Sequence, residues 1–471
     1  MPTLMAVLLS GAMWFASGGI YHMWLLAWLA PLPLLVVLPD LRASRAAAAA
    51  YLGAALGALS LVVAYRGALA PGLLAAFVVV TPLPFVAVAL AWRAVARRTG
   101  TVVTALAYPA FVVAMEYVVA FVSPNGTFGS VAYSQADVLA VLQLAAVTGL
   151  WGISFIVSLV PAVLAVMWRG RDSRTTRDAG LVIAGVPLAF VLLVGDVRLA
   201  AAPAPAEAVR VGLAASDASN RPFASTEDEA LAAVRGYAAR AAALAGMDVQ
   251  FVVLPEKFVG VSPEYLYRAE VALATVARRS HVTIVAGFNA IGGGAPHNLA
   301  VVFGPDGHVV LRYDKMHLVP GFEAGYVAGR AIGMIPGAVV PAGVAICKDL
   351  DFPPLGVAYA RAGAGLLLVP AWDFGGDAWL HSRMAIVRSV EGGFALARVA
   401  SDGQLTVSDP RGRIVAERAS GSAPEVLLAA AVPVGGGGTF YSRTGDWFAW
   451  LCLLTGLACG SASRRGGEPA E

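Results

Sequence analysis

Long apolar runs dominate the first two-fifths of the chain and then give way to short ones. Seven of them, at roughly 3–20, 23–39, 46–65, 70–92, 102–122, 139–168 and 180–199, are long enough to cross a hydrocarbon core of about 30 Å. An eighth runs from about 446 to 462. The first run lacks a basic leader and six more follow it, so it reads as a first membrane helix instead of a cleaved signal peptide. The positions between the runs are patterned by charge. Arg42 and Arg45 follow the second run, Arg93, Arg97 and Arg98 the fourth, Arg169, Arg171, Arg174 and Arg177 the sixth, and Arg464 and Arg465 the eighth. Among the short opposite loops only Arg66 interrupts. Basic residues are retained on the cytoplasmic side of short loops. The expected organisation is therefore a seven-helix membrane domain over 1–200, an extracytoplasmic domain over 201–445, a last membrane helix over 446–462 and a cytoplasmic tail over 463–471.

After APAPAEA at 202–208, which reads as a linker, the pattern becomes that of a layered α/β domain of about 240 residues. FVVLP (251–255), VTIVAG (282–287), NLAVVF (298–303), VVLRY (309–313), GVAIC (343–347) and LLLVP (366–370) read as strands bounded by Gly, Pro or Asp. Ala-rich segments around 225–246, 263–279 and 378–397 have helical length, and GPDG at 304–307 reads as a hairpin turn.

Composition sharpens the first picture and excludes others. Of 471 residues, 58% are hydrophobic and 13% charged, and a mean hydropathy of +0.73 puts much of the chain in a bilayer. The net charge of +3 is small and the arginines are scattered, so no nucleic-acid partner is expected. Three cysteines, Cys347, Cys452 and Cys459, form no CxxC pair; neither a metal site nor a disulfide framework is indicated. Basic residues are almost all arginine, and the only lysines are Lys257, Lys315 and Lys348. Arginine cannot replace lysine where a compact, proton-exchanging amine is needed.

Each of those lysines lies in or beside a reactive segment at a strand end. Glu256 follows FVVLP, Lys315 follows VVLRY-Asp314, and Cys347 closes GVAIC. A free thiol is only a few per cent thiolate at neutral pH, so a nucleophilic Cys347 needs a base and a stabilising cation. Glu256 fits the base. Lys315 fits the cation for a tetrahedral oxyanion, helped by a backbone N–H such as that of Lys348. Taken singly, each of the three has a plain structural reading, a solvated Glu or Lys or a buried small Cys.

The order Glu, Lys, Cys in LPEKF, YDKMHLVPGFEAG and ICKDLDFP resembles the nitrilase, or carbon-nitrogen hydrolase, superfamily. That resemblance implies an αββα sandwich, with Glu323 orienting the lysine and Asp349 lining the pocket beside the nucleophile. Seven apolar runs before such a domain and one after it resemble the apolipoprotein N-acyltransferase family, with further echoes in YSQAD (133–137), TGLWGISF (148–155), MAIVRSVEGGFALAR (384–398) and YSRTGDW (441–447). The implied fold is an eight-span α-helical bundle plus the nitrilase-like sandwich. The implied activity passes an acyl chain from a phospholipid, through a Cys347 thioester, to the N-terminal amine of a diacylglyceryl-cysteine lipoprotein. The implied setting is the bacterial cytoplasmic (inner) membrane. No cofactor is required, because thioester loss to an amine is downhill, and the expected assembly is a monomer.

The sequence departs from the family pattern around the cleft. Lys348 follows the cysteine, Asp349 stands for a glutamate, GLAASDASN (212–220) opens the domain, and PAWDFGGDAW (370–379) replaces the usual Asn-Asp-Ala-Trp-Phe loop. Two other readings stay open here: a membrane-tethered amidase in which water resolves the acyl-cysteine, and an inactive scaffold. Trp372, Trp379 and Trp447 are candidates to line an acyl channel or to sit in an interfacial belt, with the belt the better fit for Trp447. His317 reads as a packing residue. The loop 123–135 is either a lipid guide or a solvated turn, and Glu116, costly inside a span, has no assigned role.

Overall fold

The computed structural model describes residues 1–201, 208–224, 226–436 and 438–465, and most of the linker at 202–208 lies outside them. The chain divides into two units, Met1–Ala201 with Thr444 onward, and Ala202–Arg443.

Among the described residues of the helical unit, five helices are long and apolar enough to span a membrane: Ala43–Tyr65, Pro71–Ala96, Thr101–Val122, Leu150–Arg169 and Arg174–Ala200. The other expected spans take shorter form. The first is Thr3–Ser17 and the second a broken stretch, Trp24–Asp40, interrupted before Leu32–Val37 at Pro31 and tightened to a 3-10 turn around Pro39. The run 139–168 is not one helix: Gly149, at φ 67°, lies in a backbone region other residues adopt at a cost and separates Leu139–Thr148 from Leu150–Arg169. The last helix, Trp447–Arg465, is pinned at its start. Trp151 Nε1 donates to Asp446 Oδ1 at 2.7 Å and Trp447 Nε1 to the Val147 carbonyl at 2.9 Å.

Arginines that follow two different runs meet the backbone and carboxylate that close a third. Arg93 and Arg97 donate to the carbonyls of Leu41 and Pro39, and Arg169 pairs with Asp40 at 2.8 Å. Elsewhere in this unit, Glu116 holds the 123–135 loop. Its carboxylate accepts from Ser130 Oγ (2.8 Å), Val131 N (2.9 Å) and Ser154 Oγ (2.6 Å).

The second unit contains two sheets. In one, Val426–Pro433, Ala208–Ala215, Phe251–Val253, Thr283–Ala290, His297–Phe303 and Val309–Asp314 lie side by side, with Val259–Val261 also paired to Thr283–Ala290. In the other the order is Ile414–Ala419, Gln404–Ser408, Ala395–Ser401, Leu366–Trp372, Ala342–Val344 and Gly333–Met334. The strands are continuous apolar runs because both faces are covered. Val209, Val211, Leu213, Phe251, Val253 and Val285 join Val344, Leu366, Leu368 and Val399 between the sheets. Their neighbours Ala214, Val252, Leu254, Ile284 and Phe288 pack outward against helices Glu227–Ala245 and Pro263–Ser280. Burying each such large side chain contributes roughly 1.5–3 kcal/mol. Ala378–Gly392 and Pro353–Arg361 belong to the second sheet's side, giving the four layers that the resemblance implies.

One expected helix is shorter than the pattern suggested. The segment 378–397 stops at Gly392, because Gly393 turns at φ 76° and Ala395–Ser401 continues as a strand parallel to Leu366–Trp372. The GPDG turn forms, with Gly304 and His308 closing the hairpin.

Candidate active site

Three strand ends deliver the predicted residues. Phe251–Val253 runs into Pro255-Glu256, and the approach is tight: a Cβ on Gly287 would lie 2.4 Å from the Pro255 carbonyl oxygen and 2.7 Å from the Glu256 Cα. Only a glycine leaves that space. Lys315 follows Val309–Asp314, and its N–H donates to the Asn298 carbonyl at 2.9 Å. Cys347 opens a short 3-10 turn, Cys347–Asp351, with φ 45°. A non-glycine residue held there costs of order 1–3 kcal/mol, a strain found where backbone geometry serves a site.

The side chains converge. Lys315 Nζ lies 2.9 Å from Glu256 Oε1 and 3.1 Å from Glu323 Oε2, with all three buried. Glu323 also accepts from Val319 N at 2.8 Å and pairs with Lys257 Nζ at 2.8 Å. Asn298, which sequence reasoning missed, donates through Nδ2 to both carboxylates, at 2.6 Å to Glu323. Its only signal was a polar residue heading an apolar strand. Glu256 Oε2 is buried and has no hydrogen-bond partner among the described residues. Cys347 keeps partial exposure, and its Sγ donates to the Trp372 carbonyl at 3.4 Å.

Charge coupling follows from this packing. Burial alone would strip Lys315 of its proton, but Glu256 and Glu323 outweigh burial and hold the amine above the usual lysine range. Burial would raise the Glu323 carboxyl, yet Lys315 and Lys257 draw it down to about 2. Burial and the Glu256 charge push the Cys347 thiol well up, opposed by Lys315 and Arg398. At rest the site thus holds a charged Lys315 paired with a charged Glu323 beside a neutral thiol.

Asp349 is fully buried, so it does not line an open pocket as expected. Its carboxylate accepts from Tyr313 Oη (2.7 Å), Met316 N (3.1 Å), His317 N (2.8 Å) and Ile346 N (3.0 Å). One side chain therefore clamps the lysine segment to the cysteine turn. Lys348 is also buried and turns toward Asp351, 3.4 Å away. His317 stacks on Phe352, centroids 3.8 Å apart. The Trp372 indole donates to Asp402 at 3.0 Å, and the Trp379 ring faces Arg383. A second pair missed in the sequence, Asp373 and Arg398 (3.0 Å), is buried close enough to Cys347 for both charges to act on its thiol. An arginine in the middle of an apolar strand was the available clue.

Two family models match this chain. Residues 10–163 match the model of the apolipoprotein N-acyltransferase N-terminal domain, and 213–435 that of carbon-nitrogen hydrolase. An apolipoprotein N-acyltransferase of Geobacter metallireducens is 30% identical over 391 residues, 74% of this chain and 72% of the relative. A deaminated glutathione amidase of Synechocystis is 29% identical over 215 residues, 38% of this chain and 78% of the relative. Among solved structures, an amidase from Nesterenkonia sp. AN1 in complex with butyramide aligns with a TM-score of 0.44 at 22% identity, covering 52% of this chain and 96% of the amidase. The chain is an enzyme of the carbon-nitrogen hydrolase superfamily and belongs to the apolipoprotein N-acyltransferase family.

Proposed function

We propose that this chain transfers an acyl group from a phospholipid to the N-terminal amine of a diacylglyceryl-cysteine lipoprotein, through a thioester on Cys347. The observation that carries the reading is the division of labour on Glu256. One carboxylate oxygen is tied to Lys315, and the other is buried with no partner, as a base awaiting a proton requires.

In the first step Sγ attacks the ester carbonyl carbon while its proton passes to Glu256, so no free thiolate has to persist against the raised thiol. The tetrahedral oxyanion is met by the Lys315 ammonium and the Lys348 N–H. Its collapse breaks the ester C–O bond, Glu256 returns the proton to the leaving lysophospholipid alcohol, and acyl-Cys347 remains. In the second step the lipoprotein amine attacks the thioester, Glu256 takes the amine's proton and hands it to Sγ as the C–S bond breaks, which regenerates the thiol and the free carboxylate. Water in place of the amine would make the chain an amidase-like hydrolase. The match of residues 10–163 to the acyltransferase N-terminal domain favours the amine.

In this reading, the arginine asymmetry of the loops puts residues 201–445 outside the cytoplasm of a bacterial membrane, where both lipids are at hand. The working unit is a monomer without a cofactor. The test is to incubate the full chain with defined phospholipid, seek an acyl adduct on the Cys347 peptide by mass spectrometry, and then add a diacylated lipopeptide. Transfer to its amine supports the proposal. Release as free fatty acid alone gives the hydrolase, and no adduct with any phospholipid overturns the acyl-donor assignment.

A further inference from the structure

Of the three lysines in the chain, one has no part in the reaction so far. Lys257 directly follows the proposed base, with φ 45°, a left-handed backbone that a side chain normally avoids. That conformation turns its amine into the site. Nζ lies 2.8 Å from Glu323 Oε1, on the oxygen opposite the one that faces Lys315, and near the rings of Tyr326 (5.6 Å) and Trp372 (5.9 Å). The side chain is 12% exposed and its carboxylate partner 0%.

Counting the fixed charges shows why a second amine belongs here. Glu256 and Glu323 bring two negative charges into a buried volume, and Lys315 alone could cancel one. A surplus negative charge in low dielectric opposes any further negative charge and favours protonating a carboxylate instead. It also draws Lys315 toward Glu323, away from the Glu256 oxygen and from the oxyanion.

We infer that Lys257 is a positioning residue for the acyl-transfer reaction: its ammonium completes a neutral quartet with Glu256, Lys315 and Glu323, keeping both carboxylates ionised and releasing Lys315 to serve the reacting atoms. Lys257 touches no reacting atom itself. The inference rests on the proposed use of Cys347 as nucleophile, but not on which lipid supplies the acyl group.

The sign of the pH effect follows. Removing a nearby cation makes carboxylates harder to ionise, so a reaction that needs them charged is lost at a higher pH. The experiment uses full-length protein and two readouts on the Cys347 peptide by mass spectrometry: alkylation by iodoacetamide and adduct formation from phospholipid, each followed from acid to neutral pH. In Lys257→Gln, which keeps a hydrogen bond to Glu323 without the charge, the acid limb of both profiles moves up by about one pH unit. That is about tenfold slower reaction on the acid side. Lys257→Met shows the same shift, and Lys257→Arg returns the limb most of the way to the parent protein. A role in packing alone would slow the reaction without moving the limb. The inference is overturned if Lys257→Gln keeps the parent profile, or if Lys257→Arg shifts as far as Lys257→Gln. Loss of the phospholipid adduct in the parent protein would sink the acyl-donor assignment, while the alkylation profile would still decide on Lys257.

Discussion

Two glutamates inside the molecule show how the same carboxylate serves different ends. Glu116, in the helical unit, has its carboxylate taken up by three neutral donors, Ser130, Val131 and Ser154, that tie a loop to two helices. Glu256, in the sandwich, has one oxygen against a buried ammonium and the other with no partner. A buried acceptor left unsatisfied costs about 1–3 kcal/mol. A fold accepts that cost where the group has a further task, and it fills the valence where the task is only to hold. The contrast predicts that chemistry depends on the charge and the open oxygen at 256, and only on hydrogen bonding at 116.

The largest effects test the first half. Cys347→Ala abolishes the acyl adduct, and an adduct that persists elsewhere in the chain would dismiss the proposed nucleophile. Glu256→Gln keeps the shape but cannot take the thiol's proton, and adduct formation slows by about 10²–10⁴, read as the single-turnover rate by mass spectrometry. Retention of more than a tenth of the rate would mean that the open oxygen is not the base.

Glu323→Gln comes next. It removes the charge that helps to hold Lys315 above the usual lysine range, at a group itself drawn down to about 2. The rate constant for adduct formation falls, by less than the roughly 10²–10³ that loss of a donor to the oxyanion itself costs, because Glu323 acts through Lys315. An unchanged rate would leave Glu323 a packing residue.

These residues differ in how visible they are in the sequence. Glu256, Lys315 and Cys347 are legible because each closes a short apolar strand within a motif of five to thirteen residues. Their partners are not. Asn298 and Arg398 act on carboxylates from other segments of the chain, and nothing local marks a polar side chain in a strand as facing a particular carboxylate. Asp349 is legible as important but not in its task, because three of its four donors come from a distant segment, Tyr313 to His317. The helix 378–397 was overextended since a helical and a buried-strand apolar pattern differ little over a few residues, and only Gly393 decides the break. In the helical unit the lengths of the apolar runs and of the helices differ for the opposite reason. Hydropathy registers apolar residues and not the prolines and Gly149 that divide them.

A smaller effect separates structural charges in the sandwich from reactive ones. His381 sits with Nε2 3.0 Å from Asp377 Oδ2 and Nδ1 3.8 Å from Asp351 Oδ1. Burial disfavours its charge, but Asp377, Asp351 and Asp373 outweigh it and lift the imidazolium to about 9, above the ordinary 6.5. The folded value is the higher one, so the stability it contributes is complete below about pH 6.5 and is lost as pH rises through about 9. The loss is on the order of 3 kcal/mol. In thermal unfolding of the sandwich, His381→Gln lowers stability at neutral pH and flattens the decline between neutral and alkaline pH. An equally steep decline in the variant would assign the pH dependence to other groups.

The smallest effect belongs to Glu116, and it is the one that tests the contrast itself. In Glu116→Gln the remaining carbonyl oxygen accepts from Val131 N and a serine hydroxyl, while the new NH₂ donates to the other hydroxyl, since each serine oxygen can also accept. Stability changes by about 1 kcal/mol or less, and the rate of adduct formation on Cys347 stays within about twofold. Glu116→Leu leaves the Val131 N–H and two hydroxyls without their acceptor, costs about 1–3 kcal/mol for the buried donors, and frees the 123–135 loop, seen as faster proteolysis there. If Glu116→Gln instead slowed the chemistry as much as Glu323→Gln, charge in the helical unit would be acting on the reaction, and the distinction between a carboxylate that holds and one that reacts would not survive.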